Sequence, residues 1–407
     1  MPTTTDQLLG VLGVDRITPV FQPIVDIDSG ALVASEALTR SRRGDVPVSP
    51  IDLFAEARRL GLTSELDTLC FFSAVDAAQA QGMTEANSLF VNIEPESLAA
   101  ASHIEDADHP RVMVEVTERS LTSSPGDLLR TTGALRQLGH GIAIDDLGAE
   151  PASLALLPLI RPDVIKLDMA LIRRNDPRHA ARIMTVVAGY AERQDAVILA
   201  EGIETDKHLA TARAMGATLG QGWLFGRPDE HFDSRAAGML VGSADSRAVR
   251  PPDAGGGLTP FDIVSEAVVP RRGDRELLVN VSKHLEERAA EGRDTAVLLT
   301  TFQAEDNVTA QTRERYERLI ASGCLLTVFT ARRTAAFSAP SRNVVIADGD
   351  RLTTEWDVIL LTADYAAALT AREIDVSRHR QGDYEFCLTT DRDLVSKAAV
   401  SLLTGRP

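Results

Sequence analysis

The sequence predicts an α/β protein that consists of a TIM-type (β/α)8 barrel followed by a smaller α/β domain. Over roughly the first 240 residues, short apolar runs alternate with longer amphipathic stretches, which is typical of parallel strands joined by helices. Eight such units match the usual size of a (β/α)8 barrel. A doubly wound sheet is the alternative, but no glycine-rich phosphate loop follows the first predicted strand.

The eight predicted strands are short and rich in apolar and β-branched residues. They are Val20–Ile27, Ala31–Leu38, Leu89–Ile93, Val112–Val116, Ile142–Asp146, Val164–Leu167, Val197–Ala200 and Gly220–Leu224. Amphipathic helices are predicted between them, for example at Ile51–Leu60 and Ala180–Ala191, where apolar residues recur at helical spacing. Strand and helix therefore alternate as a barrel requires.

A linker rich in proline and glycine divides the chain. Residues Val249–Thr259 read VRPPDAGGGLT, which disfavours both helix and strand. We therefore predict a barrel over residues 1–248, a linker over 249–259 and a second domain over 260–407. In that domain the pattern predicts helices at Arg275–Ala290, Gln311–Ala321, Ala366–Arg372 and Asp391–Leu403, and strands at Thr295–Phe302, Leu325–Thr330, Val344–Ala347, Val358–Leu361 and Tyr384–Thr390.

Composition disfavours several classes of protein. The chain has 407 residues, of which 44% are hydrophobic and 25% charged, and its net charge is −17; the two percentages are ordinary for a globular protein. It contains no Lys/Arg-rich stripe, so we do not expect a nucleic-acid polymer as partner. It has neither a run of about 18 apolar residues nor a signal-peptide pattern, so we expect no membrane span. The cysteines, Cys70, Cys324 and Cys387, form no CxxC pair, which favours a cytoplasmic location.

Polar side chains lie at the ends of the predicted strands. They are Glu36, Asn92, Glu115, Asp145, Asp146, Lys166, Asp168, Glu201 and Gln221. Because the carboxyl ends of barrel strands meet at one face, we expect one oxygen-rich site there, suited to Mg²⁺ or Mn²⁺. The adjacent aspartates allow two ions to be bridged for phosphoryl transfer. Taken singly, an acidic residue at a strand end is usually a solvated loop residue, so it is the joint pattern that predicts the site.

Eight short motifs occur in a fixed order along the first part. They are FQPI at Phe21–Ile24, SEALTR with Glu36-Ala37-Leu38, VNIEP at Val91–Pro95, VEVTE at Val114–Glu118, IAIDD ending at Asp146, PDVIKLD ending at Asp168, LAEGIET at Leu199–Thr205 and GQGWLFGRP at Gly220–Pro228. Together they resemble the EAL domain, a family of phosphodiesterases that cleave cyclic di-guanylate (cyclic di-GMP) and fold as a TIM-like barrel.

The resemblance implies hydrolysis of cyclic di-GMP to linear pGpG with two Mg²⁺ or Mn²⁺ ions, in a protein that forms homodimers. One ion would be held by Glu36, Asn92, Glu115 and Asp145, and the other by Asp145, Asp146 and Glu201. The implied catalytic residues are Lys166, Glu201 and Glu36, with Lys166 orienting the attacking water and helping to deprotonate it. The implied substrate-binding residues are Gln22, Leu38, Arg40, Asp168, Glu204 and Gln221, and Glu118 would anchor the loop after the fifth strand.

One loop departs from the family pattern. The family sequence DFGTGYSS is here DLGAEPAS, at Asp146–Ser153, so a glycine is lost and a proline gained, which should stiffen the loop. All implied metal ligands are nevertheless present, which favours an active enzyme over a receptor that binds cyclic di-GMP without cleaving it. A scaffold that binds only proteins is the third alternative.

The second domain contains a different set of motifs. TFQ at Thr301–Gln303, RYERL at Arg315–Leu319, EWDVILLT at Glu355–Thr362, YAAALTARE at Tyr365–Glu373 and DYEFCLTTDRDLV at Asp383–Val395 are similar to the DICT domain, a sensory family. The resemblance implies that this domain regulates the barrel in response to an unknown ligand or protein partner. Trp356 and Tyr365 are candidates for lining a sensor pocket, and the alternative is that both are core aromatics.

Overall fold

The structure is a computed structural model of the chain, and the chain divides into two compact units. The structure describes residues 5–84, 87–94, 97, 110–117, 125–145, 147, 153–168, 177–231, 257–292, 296–303, 308–331, 337, 342–347, 349–374 and 383–404. The first unit comprises Met1–Ser120, Thr131–Ala149 and Arg161–Ala248, and the second comprises Leu121–Arg130, Glu150–Ile160 and Val249–Pro407.

The first unit contains a closed barrel of eight strands. Its strands are β1 (Arg16–Asp26), β2 (Leu32–Arg43), β4 (Ser88–Asn92), β5 (Arg111–Thr117), β6 (Gly141–Asp145), β7 (Val164–Asp168), β8 (Val197–Glu201) and β9 (Leu219–Gln221), with the short β3 (Val46–Val48) paired outside the ring to β2. The strands follow one another around the ring in chain order, and β1 pairs with both β2 and β9 to close it. The prediction of a (β/α)8-type barrel is confirmed.

Helices precede and connect the strands. They are α1 (Thr5–Leu12), α2 (Pro50–Leu60), α3 (Thr63–Ala80), α4 (Pro125–Gln137), α5 (Ser153–Ile160), α6 (Pro177–Gln194) and α7 (Asp206–Ala214). Helix α2 shows why they begin and end where they do. The Ser49 side chain accepts a hydrogen bond from the backbone N–H of Ile51, Pro50 occupies the first turn, and Gly61 ends the helix at φ 69°, as capping rules require.

Strand β1 runs against its neighbours, which the alternation of strands and helices does not predict. It pairs antiparallel with β2 and with β9, whereas the other neighbouring pairs around the ring are parallel. Only a short turn separates β1 from β2, so the two strands form a hairpin, because a parallel pair would need a longer crossover. The last strand is also shorter than predicted and ends at Gln221 instead of Leu224.

The second unit contains a mixed sheet of seven strands with four helices after the linker. The strands are β10 (Arg271–Asp274), β11 (Val297–Phe302), β12 (Leu325–Thr330), β13 (Arg342–Val345), β14 (Glu355–Leu361), β15 (Ala366–Glu373) and β16 (Asp383–Thr389), in the order β10-β16-β15-β14-β11-β12-β13. The helices are α8 (Pro260–Ala267), α9 (Arg275–Gly292), α10 (Ala310–Ala321) and α11 (Arg392–Thr404). Strands β11, β12 and β13 are parallel, and the remaining pairs are antiparallel.

The helix predicted at Ala366–Arg372 is wrong, because these residues form the interior strand β15. Its alanines favour a helix intrinsically, yet the strand lies between β14 and β16 and is buried along most of its length. A strand buried on both faces shows a continuous apolar run instead of alternation, so its pattern resembles that of a buried helix. Pairing with two neighbours outweighs the local preference for helix.

All three cysteines are buried and free. Among the described residues, no helix has the length and apolar character needed to cross a membrane.

Candidate metal centre

A layer of polar side chains lies beside a layer of apolar ones inside the barrel. Each of the eight ring strands contributes one buried residue to the apolar layer and, two positions away, one polar residue. The pairs are Ile24 and Gln22, Ala34 and Glu36, Phe90 and Asn92, Met113 and Glu115, Ala143 and Asp145, Val164 and Lys166, Leu199 and Glu201, and Leu219 and Gln221. Since residues two apart on a strand share a face, the polar side chains share the barrel interior with the apolar layer.

The direction of β1 places its polar residue before its core residue. On the other ring strands the polar residue follows the core residue, whereas Gln22 precedes Ile24. Because β1 is antiparallel to β2, Gln22 lies directly opposite Glu36 in the ladder. The β1–β2 hairpin therefore adds Gln22 to the polar layer, although β1 runs antiparallel to both of its neighbours in the ring.

Lys166 lies among four carboxylates, Glu36, Glu115, Asp145 and Glu201, which we call the carboxylate cluster. Its Nζ is 2.7 Å from Glu201 Oε1, 3.3 Å from Asp145 Oδ1 and 3.7 Å from Glu36 Oε1, and it also forms an ion pair with Glu115. The Lys166 side chain is 1% exposed. A lysine buried this deeply needs carboxylate partners.

Two amides hold Glu36 in place. Asn92 Nδ2 donates a hydrogen bond to Glu36 Oε1 at 3.1 Å, and Gln221 Nε2 donates to Glu36 Oε2 at 2.7 Å. Both carboxylate oxygens therefore have a donor, which fixes the orientation of the side chain in the layer.

Burial and mutual charge determine the protonation of the cluster. Burial raises the pKa of Glu115 well above its usual range, and the charge of Glu36 adds to this while Lys166 opposes it. Burial likewise raises the pKa of Glu201 to about 7 against the opposing charge of Lys166. Burial by itself would lower the pKa of Lys166, but the surrounding carboxylates outweigh it and raise this pKa well above the usual value. Lys166 is therefore held as an ammonium ion.

The donor set fits divalent cations. Oxygens from Glu36, Glu115 and Glu201 all lie within 4.8 Å of one another. When ionised, the four carboxylates outnumber the single ammonium of Lys166, so the cluster has an excess of negative charge. Apart from Lys166, no described group donates to either oxygen of Glu115. Buried carboxylates with unused oxygens are the ligands that Mg²⁺ and Mn²⁺ prefer.

Several predicted substrate-binding residues lie around this cluster. Leu38 and Arg40 line a cavity of about 190 Å³ together with Asn92. Arg40 is exposed and donates one hydrogen bond to the backbone oxygen of Thr39 at 2.9 Å. Gln22 donates from Nε2 to the backbone oxygen of Gly226 at 3.3 Å. The strand ends thus bring Gln22, Leu38, Arg40, Asn92 and Gln221 to one region of the barrel.

For the other predicted site residues, the structure either describes no contact with the carboxylate cluster or does not describe the residue. Glu204 is exposed on the turn before α7, where its backbone N–H donates to His208 Nδ1 at 3.2 Å. Asp168 ends β7 opposite Glu201 in the strand ladder, but its side chain lies outside the described residues. Asp146 and Glu118 also lie outside them, as does most of the atypical loop.

Asp67 is a polar residue of this region that the sequence interpretation missed. It is 3% exposed on α3, and its Oδ2 accepts a hydrogen bond from the backbone N–H of Glu94 at 2.8 Å. It also lines the cavity that contains Arg40. A signal was available, because Asp67 shares a helical face with the apolar residues Cys70 and Phe71. An acidic residue on such a face must be paired when it is buried.

Comparisons with known proteins agree with this geometry. Residues 6–228 match the family model of the EAL domain, and residues 264–374 match that of the DICT domain, described as a sensory domain in diguanylate cyclases and two-component systems. The chain is 28% identical over 247 residues to the cyclic di-GMP phosphodiesterase RocR of Pseudomonas aeruginosa, covering 57% of this chain and 62% of the relative. It is 27% identical over 225 residues to PdeB of Escherichia coli, a probable cyclic di-GMP phosphodiesterase, covering 52% of this chain and 43% of the relative.

Among solved structures, the chain is similar to BlrP1 of Klebsiella pneumoniae in a calcium/cyclic di-GMP complex. The two share 29% sequence identity with a TM-score of 0.45, over 53% of this chain and 56% of BlrP1. The chain thus spans less than two thirds of each of these relatives. The EAL model covers more than half of the sequence, the barrel has eight strands, and its polar layer carries the family motifs. The chain therefore belongs to the EAL domain family and carries a DICT domain after the barrel.

Proposed function

We propose that the barrel hydrolyses cyclic di-GMP to linear pGpG by a two-metal mechanism. The observation that carries the proposal is the cluster of four carboxylates around Lys166, whose excess negative charge suits divalent cations. The phosphodiesterase names of the relatives support the choice of substrate. Two ions would stabilise both the attacking and the leaving oxygen of the phosphoryl transfer.

We assign the metal ligands as the family pattern suggests. Glu36, Asn92, Glu115 and Asp145 would hold one ion, and Asp145, Asp146 and Glu201 the other. Asp145 lies between Glu115 and Lys166 in the strand order β5, β6 and β7, which suits a bridging position. Because Gln221 and Asn92 donate to Glu36, they orient a ligand in addition to any contact with substrate.

The position of Lys166 among the proposed metal ligands suggests its role in the reaction. In the metal-free protein its charge compensates the surrounding carboxylates. Cations bound to those carboxylates would take over this compensation, and Lys166 would then orient the attacking water and help to deprotonate it. Arg40, with a guanidinium of which one N–H is used by Thr39, would bind a substrate phosphate.

Incubation of the purified full-length protein with cyclic di-GMP and Mg²⁺ or Mn²⁺, followed by chromatography of the products, tests the proposal. We expect pGpG, and we expect Glu36→Gln to lower turnover by orders of magnitude, because it removes an anionic ligand. Glu192→Gln, at an exposed position on α6, is the matched control and should retain full turnover. Equal turnover of the two variants would show that the ligand assignment is wrong.

Metal exchange provides a second arm of the same experiment. Ca²⁺ is larger and accepts longer, more variable coordination, so it should bind and support little hydrolysis. Full activity with Ca²⁺, or after complete chelation, would contradict the two-metal mechanism.

Binding without hydrolysis is the second candidate function, and the atypical loop at Asp146–Ser153 favours it. In that case cyclic di-GMP would bind in a titration with Ca²⁺, while no pGpG would form with any metal. We further propose that the protein acts in the cytoplasm as a homodimer regulated by its DICT domain.

A further inference from the structure

A cavity of about 250 Å³ lies within the DICT domain, apart from the barrel chemistry. It is bounded by helices α9 and α10 and by strands β11, β14 and β16. Its volume is close to the lower end of the range for small-molecule sites, about 300–1,000 Å³. Trp356 lines this cavity, whereas Tyr365 does not belong to its lining.

Polar residues replace apolar ones on the helix face that borders the cavity. Helix α9 buries Leu278, Leu285 and Ala289, yet the same face carries Ser282 and Glu286, each 6% exposed. Glu286 is paired, since its Oε2 accepts a hydrogen bond from Arg315 Nε at 2.7 Å. A helix that served only to pack against the sheet would place apolar residues at these positions.

Ser282 has no partner for its buried hydroxyl. Among the described residues, nothing forms a hydrogen bond with Ser282 Oγ, although the atom is buried and its side chain lines the cavity. A buried polar group without a partner destabilises a fold. The hydroxyl is therefore available to a bound molecule.

The charge around the cavity is positive. Arg275, Lys283 and Arg315 line it, against the single carboxylate of Glu286. Lys283 is exposed, and within the described parts of the chain no carboxylate pairs with it. Arg275 is also exposed and forms a hydrogen bond with the phenol of Tyr384. The entrance is thus cationic, in a chain whose net charge is −17.

Aromatic rings form the apolar part of the lining. Trp356 and Tyr384 meet edge to face, with centroids 5.8 Å apart and an interplanar angle of 83°. Phe302 and Tyr316 pack against each other, with centroids 6.1 Å apart. Aromatic surfaces of this kind bind flat apolar rings through stacking and edge contacts.

We propose that this cavity binds a small planar organic anion, such as an aromatic carboxylate. The anionic group would pair with Lys283 and Arg275 at the entrance, the ring would lie against Trp356 and Tyr384, and a polar substituent would hydrogen-bond to Ser282. This site gives the DICT domain a ligand class, and it does not depend on hydrolysis in the barrel.

Calorimetric titration of the full-length protein with matched acids and amides tests the proposal. The probes are benzoate, 4-nitrobenzoate and 2-naphthoate, each compared with its neutral amide at up to several millimolar. We expect at least one acid to bind, and its amide to bind about tenfold more weakly, because a charge-assisted hydrogen bond is lost. Absence of binding by all three acids, or equal binding of acids and amides, would overturn the proposal.

Two lysine variants locate the binding site. Lys283→Ala should weaken binding of the acid by about tenfold and leave binding of the amide unchanged. Lys397→Ala removes an exposed lysine of α11 outside the cavity lining and should change neither. Equal effects of the two variants would place the bound acid elsewhere.

The cavity also carries its own spectroscopic probe. The chain has two tryptophans, so Trp223→Phe leaves Trp356 as the sole one. 4-Nitrobenzoate, an aromatic quencher, should then quench this emission with the dissociation constant found by calorimetry. Calorimetric binding without any change of Trp356 emission would contradict the proposed position of the ring.

Discussion

At the scale of single residues, the notable feature is one ammonium ion that compensates several buried carboxylates. Lys166 is within ion-pairing distance of Glu36, Glu115, Asp145 and Glu201. Such pairs contribute little net stability when complete, because burial removes both ions from water, but removing one partner leaves an uncompensated charge. Lys166 therefore has a structural task in the metal-free protein as well as the proposed role in catalysis.

Lys166→Met should lower the free energy of unfolding by about 3–5 kcal/mol in the presence of EDTA, the range for a broken buried ion pair. Added Mn²⁺ should restore more stability to this variant than to the wild type, because the cation takes over the charge of the lysine. Denaturant unfolding with and without Mn²⁺ measures both effects. Lys207→Met, at an exposed position on α7, is the control, and an equally large loss there would refute the explanation.

Metal binding should weaken as the pH falls below about 7. The pKa of Glu201 is raised to about 7 in the metal-free protein, first by burial, so below that pH a proton must leave before the carboxylate binds a cation. Glu115, whose pKa is also raised, must likewise lose its proton, so the apparent affinity for Mn²⁺ should fall by at least about tenfold per pH unit below pH 7. Calorimetry at pH 6, 7 and 8 checks this. Glu201→Gln should make the profile shallower, and a wild-type affinity independent of pH would contradict the assignment.

The same shift sets the sign of the pH dependence of stability. The pKa of Glu201 in the folded protein lies above the unfolded value of 4.5. Its stabilising contribution to the free energy of unfolding is therefore fully present below pH 4.5. It is lost as the pH rises through about 7. Metal-free protein should therefore lose this contribution towards neutral pH.

Much of the site could be predicted because barrel geometry brings strand ends together. Glu36, Glu115 and Glu201 stand far apart in the chain, and closure of the ring alone makes them neighbours. The sequence did not predict which groups hold protons, since burial and mutual charge exist only after folding. Asp67 carried a local signal, its position on an apolar helical face, but its partner, the backbone N–H of Glu94, comes near it only after folding.

At the scale of elements, a tight turn after β9 holds Gln221 in place. Gly222 has a φ of 151°, and an added Cβ would lie 2.2 Å from the backbone oxygen of Ile203. Ile203 in turn donates from its backbone N–H to the oxygen of Gln221 at 3.0 Å. The close approach of these two backbones is possible because residue 222 has no side chain.

Gly222→Ala should lower the free energy of unfolding by on the order of 2–4 kcal/mol, through backbone strain and the clash with Ile203. It should also reduce turnover, because Gln221 would shift away from Glu36. Gly133→Ala is the matched control, since Gly133 lies inside α4 with no atom within 4 Å of an added Cβ. That change should stabilise the protein by about 0.5–1 kcal/mol, and thermal unfolding of both variants tests the contrast.

Strand β15 shows why element types are harder to predict than strand ends. The sequence AAALTARE has the composition of a helix, and its identity as a strand comes from pairing with β14 and β16. The residues of β15 do not themselves encode this pairing, so local propensity carries no information about it. By contrast, β11 and β12 were predicted correctly because both are rich in β-branched or aromatic residues.

At the scale of the whole molecule, we expect the second unit to regulate the barrel. Residues Glu150–Ile160 belong to the second unit although they follow shortly after Asp145 and Asp146 in the chain. This part of the chain carries the departure from the family sequence, DLGAEPAS at Asp146–Ser153, and we propose it as the route of regulation. Coupling of this kind requires a difference in free energy between two states of the barrel.

Truncation after Arg250 should leave a folded barrel with altered turnover and an unchanged requirement for Mg²⁺ or Mn²⁺. Circular dichroism checks the fold, and steady-state rates of the truncated and full-length proteins under identical conditions test the coupling. Equal rates together with equal dimerisation would leave the second unit without a regulatory role.

The antiparallel pairing of β1 with β9, which closes the barrel, has a consequence for how many residues can be inserted between its strands. Three residue pairs, from Ile24 with Gln221 to Asp26 with Leu219, join strands almost 200 positions apart. The free-energy cost of closing a chain loop of this length grows only logarithmically with the number of residues, by about 0.6 kcal/mol for each doubling. Insertions between successive strands therefore hardly affect closure, and new loops can be acquired by evolution while the eightfold ring of polar side chains is retained.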